Sequence, residues 1–100
     1  MQIEVKQYHI DHGKRKHCND CPVALAINNK MAEIFPNSNI QTLVGDWTVS
    51  IIINSKLSFD RELPYTAAKF IADFDRGMLM KPFIFEIGDI TNVSSNKTTS

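Results

Sequence analysis

All three histidines and both cysteines of this chain fall in one stretch, His-Ile-Asp-His-Gly-Lys-Arg-Lys-His-Cys-Asn-Asp-Cys, residues 9–21. Four kinds of chemistry fit it. Cys18-x2-Cys21 has the spacing of a zinc ligand pair, and two of His9, His12 and His17, with His12 and His17 favoured, would complete a tetrahedral set. The second conventional ligand pair is missing, and His17 directly beside Cys18 is awkward for sharing one ion. Alternatively, Cys21 at a helix N-terminus would gain thiolate character from the helix dipole, and His9 or His12 would serve as its base. No third orienting group is apparent for such a Cys–His enzyme. A third reading is anion binding. Lys14, Arg15, Lys16, His17 and Cys21 lead into a helix whose first amides lack internal partners, an arrangement suited to a phosphate or nucleotide. The fourth reading is structural: Cys21 is a small buried cap, Cys18 packs nearby and the histidines decorate a loop.

The elements around this loop are legible from periodicity. Ile3 and Val5 alternate with polar neighbours, predicting a strand over 2–8 followed by a polar loop from His9 to Asp20. Asp20 or Cys21 can cap a helix with Pro22 in its first turn. Val23, Ala24, Ile27, Met31 and Ile34 form its apolar face, and Pro36 ends it. Residues 40–44 read as a second strand, with Gly45-Asp46 as a tight hairpin turn in which glycine supplies positive φ. Trp47, Val49, Ile51 and Ile53 alternate as the core face of a third strand. Asn54-Ser55-Lys56 reads as a turn, and Leu57-Ser58-Phe59 as at most a short extra strand. A second helix is expected from Pro64 to Arg76, burying Ala67, Phe70, Ile71 and Phe74. Gly77 is its left-handed C-cap. Tyr65 at its start is free to meet a partner. Residues 83–87 form the last strand, with Phe83 and Phe85 inward and Glu86 in solvent. Residues 91–100 have little to bury and are expected to be disordered.

The expected fold is therefore one α+β domain over residues 1–90, in β-α-β-β-α-β order. That is the ferredoxin-like order, with two helices on one face of an antiparallel sheet and the other face open. An open face leaves room for a homodimer or another partner.

Composition narrows the function. The 100 residues carry 43% hydrophobic and 22% charged side chains, with eleven Lys+Arg against eleven Asp+Glu. This balance argues against a general nucleic-acid coat, which needs a basic excess. No apolar run approaches the roughly 20 residues of a membrane span. The N-terminus lacks the basic start and apolar stretch of a signal peptide, so a cytoplasmic location is expected. Paired catalytic carboxylates, glycine-rich nucleotide loops and a serine elbow are all missing.

Two blocks carry a resemblance. One is His9-Ile10 with Gly13, Cys18 and Cys21-Pro22-Val23-Ala24-Leu25-Ala26. The other is Leu63-Pro64, Phe70-Ile71, Phe74-Asp75, Gly77 and Lys81-Pro82-Phe83 with Phe85. With these blocks the sequence resembles a family of small proteins encoded by tailed bacteriophages and prophages. The resemblance implies no particular reaction. It implies an accessory protein acting in an infected bacterial cell. The expectation is a non-enzymatic protein that binds a host factor or defence signal, by occluding a partner or sequestering an anionic nucleotide-like ligand. A small zinc-stabilised nucleic-acid-binding module and a Cys–His thiol enzyme are the alternatives. No cofactor is expected for the leading reading, and zinc is the one the residues could hold.

Overall fold

The computed structural model describes residues 1–88; the expected disordered tail at 91–100 lies outside them. The order is β1 (Gln2–Val5), α1 (Gln7–His12), α2 (Pro22–Ile34), β2 (Ile40–Val44), β3 (Thr48–Ile53), β4 (Lys56–Glu62), α3 (Tyr65–Asp75) and β5 (Phe83–Glu86). The α+β class stands. The single ferredoxin-like sheet does not: the described strands form two antiparallel sheets, β1–β5 and β2–β3–β4. The cause is β4. It pairs along β3 from Ile53↔Lys56 to Thr48↔Glu62, while β2 holds the other edge from Ile40↔Ile53 to Val44↔Val49. Both edges of β3 are then filled, and no backbone edge remains for β1. Instead β1 pairs with β5 alone, Ile3 opposite Phe85 and Val5 opposite Phe83.

The second departure is α1. Residues 7–12, read as strand end and loop, form a six-residue helix whose only fully buried side chain is His9. It has no apolar stripe, so periodicity could not reveal it. Packing supplies the stability that so short a helix lacks by itself.

Helix α2 is the hub, packed against α1, β1 and β2. Cys21 caps it as expected, its sulfur accepting from the Ala24 amide at 3.5 Å, with Pro22 at the first helical position. Val23, Ala24, Ile27 and Met31 are buried, whereas Ile34 at the last turn is exposed. Val49 and Ile51 carry the core face of β3, and Phe59 on β4 is sealed beside them. Helix α3 meets β5 through an aromatic stack: Phe70 to Phe83 with ring centroids 4.6 Å apart, then Phe83 to Phe85 at 5.5 Å.

Turn chemistry is mixed. Asn54 and Ser55 both have positive φ, at 51° and 68°, giving the β3–β4 hairpin the twist of a mirror-image turn. Gly77 sits at φ 83°, as its C-cap role requires. Gly45 is not in the left-handed region; its amide donates to the Thr48 carbonyl at 2.8 Å, closing a longer loop than the expected two-residue turn.

Candidate functional site

The basic loop is tied down at both ends. The Lys14 amide donates to the Asp20 carbonyl at 2.9 Å, and the Cys21 amide to that of His17 at 3.1 Å. The Val44 amide donates to the Cys18 carbonyl at 2.7 Å, fastening the loop to the end of β2. Gly13 makes the close approach possible: a Cβ there would lie 2.6 Å from Cδ of Pro22. At the apex, Lys16 holds φ 60°, a costly conformation for a residue with a side chain. Its amide donates to Oδ1 of Asp75 at 2.8 Å, joining the loop to the last turn of α3. The Arg15 guanidinium lies over Gly77.

This geometry weighs on each reading of the loop. For the anion site, the Lys16 amide is already taken by a carboxylate of the chain itself. For zinc, the residues expected to be ligands are not assembled. Among the described residues no group of three or more His, Cys, Asp or Glu side chains is placed to hold a metal ion. His12 belongs to α1, where its ring stacks on Tyr8 at 4.1 Å and Nδ1 lies 2.9 Å from the Tyr8 carbonyl. His17 leans toward Asp20, its Nδ1 4.0 Å from Oδ2. Cys18 is exposed and Cys21 buried, and both are free thiols.

For thiol catalysis, the cysteine and its supposed base are separately engaged. Burial pushes the Cys21 thiol up, against the pull of the Ala24 and Val23 amides, and the nearby Asp75 pushes the same way. A thiol held protonated is a poor nucleophile. His9 is 3% exposed. The Lys6 amide donates to its Nδ1 at 2.9 Å, and the Asn29 side-chain amide stands 2.7 Å from Nε2. Neither nitrogen is left to take a proton from Cys21.

What the loop does build is a wall. Lys16, His17, Cys18 and Cys21 line a 460 Å³ cleft together with Val44, Asp46, Ile71 and Asp75. Asp46, Ile71 and Asp75 are shared with a second cleft of 540 Å³, so the two clefts adjoin. The second cleft is mainly apolar, floored by Leu63, Ala68, Ile71 and Ala72 and flanked by Trp47 and Tyr65.

Trp47 and Tyr65 are 64% and 76% exposed. Trp47 was expected in the core, in phase with Val49 and Ile51. The strand starts one residue later, at Thr48, so the indole passes the edge of the core and stands at the groove. Its carbonyl accepts from the Leu63 amide at 2.8 Å, two residues before Tyr65, so both aromatics are mounted on one backbone junction. The sequence signal for this pair was Tyr65 itself, which lies off the buried 67-70-71 stripe of α3. No protein-family model, curated protein or solved structure matches this chain.

Proposed function

We propose that this is a non-enzymatic binding protein that covers a surface of another protein, with the Trp47–Tyr65 groove and the adjoining Lys16–Cys21 wall as its contact face. The observation that carries the reading is the pair of exposed aromatics over an apolar cleft. Tryptophan and tyrosine side chains of this kind are the anchors that dominate protein–protein contacts. Isolated exposed apolar residues are ordinary, but a contiguous apolar cleft rimmed by charge is the form a binding site takes. Sequestration of an anionic ligand is less well supported, because Asp46 and Asp75 face the same groove and one of them occupies the loop's own amide.

The proposed setting is a bacterial cell infected by a phage, with a host factor or defence component as the partner. The two sequence blocks that resemble phage accessory proteins support that setting. They surround the groove: Cys18 and Cys21 line it from one block, Leu63, Ile71 and Asp75 from the other. The test is affinity capture from infected bacteria, with a Trp47→Ala/Tyr65→Ala variant beside the native chain. The native protein is expected to retain a specific host protein that the folded double variant loses. Equal capture by both would remove the groove as the contact face. Capture of nothing by either would sink the reading.

A further inference from the structure

We infer that the apolar half of the groove seats a basic segment of the partner, an arginine or lysine side chain whose aliphatic stem lies on Leu63 and Ile71 and whose cation meets Trp47, Tyr65, Asp46 and Asp75. The inference rests on the binding reading above and adds the chemistry of the occupant.

Charge complementarity carries it. Asp46 and Asp75 are the only charged residues lining the apolar cleft. Among the described residues neither is in an ion pair: the pairs present are His17–Asp20, Lys69–Asp73 and Arg76–Asp73. Asp75 gives one oxygen to the Lys16 amide. Its second oxygen is not so engaged. Lys16 and His17 line only the neighbouring cleft. Exposed aromatic faces attract cations through their ring quadrupoles, most strongly for tryptophan, and arginine is the usual partner. A long basic side chain also suits the shape, because its methylenes cover apolar surface while its head stays at a polar rim. An acidic segment would meet two carboxylates, and a wholly apolar one would leave both unpaired.

Trp47 is the sole tryptophan of the chain and reports on the cleft directly. The probe is the capped peptide (Gly-Arg-Ala)4, with its Gln and Glu counterparts, titrated against the full chain while Trp47 emission is read. The Arg peptide is expected to shift the emission saturably, with the Glu peptide at least about tenfold weaker. Raised salt weakens the Arg complex, and Asp46→Asn weakens it about fivefold, the scale of one cation contact at an exposed site. Asp75→Asn keeps an acceptor for the Lys16 amide and is expected to act in the same direction. Equal response to all three peptides, or to none, would overturn the inference. Retention of a host protein through Trp47 and Tyr65 would stand in either case, so the two failures are distinguishable. A shift of Trp47 emission with protein concentration alone, matched by a doubled mass in light scattering, would name a second copy as the occupant and also overturn it.

Discussion

The imidazole of His9 is locked by what its neighbours can offer. The Lys6 amide can only donate, so Nδ1 must be bare and the neutral ring carries its proton on Nε2. Asn29, whose Nδ2 is placed against Nε2, must then turn its amide end for end so that Oδ1 accepts from Nε2–H. His9 is the third residue of α1, and its bond to the residue before the helix is the returning half of a capping box. The adjacent Asn28 accepts from the buried Thr42 hydroxyl at 2.6 Å. Two consecutive asparagines on α2 thus hold α1 and β2. Nothing in the sequence distinguished them, because a polar pair inside a helix reads as a solvated face. Nor was the burial of His9 visible, since α1 has no apolar stripe to mark an inward face. A testable consequence is pH dependence. Burial, with Lys6 adding to it, lowers the His9 pKa from 6.5, while Glu4 pulls the other way. The unfolded chain therefore takes up this proton first. The stability from a neutral His9 is complete above about pH 6.5 and is lost as pH falls from there toward the folded-state value. His9→Gln keeps an acceptor for the Lys6 amide without a titrating group. In urea unfolding at pH 7.5 and 5.0, the variant is expected to lose less stability between the two than the native chain.

At the scale of elements, helix α2 was legible because its signals are local: a capping Cys21, Pro22 in the first turn, an apolar face and Pro36 beyond. Strand β3 was legible by alternation, and β2 as the short run before the Gly45-Asp46 turn. Strand β4 was not, because a register shift interrupts its period. Ile52 pairs with Leu57 but Ile51 pairs with Phe59, leaving Ser58 as the extra residue. Leu57 and Phe59, two apart, therefore face opposite sides: Leu57 is 54% exposed and Phe59 only 1%. A two-residue alternation test would place them together. The energetic contrast follows. Phe59→Ala is expected to cost ~3–5 kcal/mol as a core truncation, whereas Leu57→Ala is expected to cost under ~1 kcal/mol. Urea midpoints with unchanged m-values would check both. Equal losses would mean that the register shift is placed wrongly.

For the molecule as a whole, element order was nearly recovered and topology was not. The order of strands and helices is local information, while pairing depends on which edges are left. Once Lys56–Glu62 is a full strand, β3 has no free edge and the ferredoxin-like sheet cannot close. The groove is equally non-local. Its sides come from the 16–21 loop, the end of β2 with the Asp46–Trp47 corner, and α3, and only folding brings them together. Among the described residues the same topology leaves β2, β4, β1 and β5 each with an outward edge, which makes edge-to-edge association a problem the chain must solve. Unpaired strand edges are templates for fibrils, and charge and bulges are the usual safeguards. Strand β4 carries both, with Lys56, Asp60, Arg61 and Glu62 exposed along it beside the register shift. Replacing those four residues with threonine is expected to leave the hairpin paired yet produce thioflavin-positive fibrils at concentrations where the native chain stays clear. The alternating charges of β4, unremarkable as a surface, would then be what keeps one copy of this chain from adding its strands to the next.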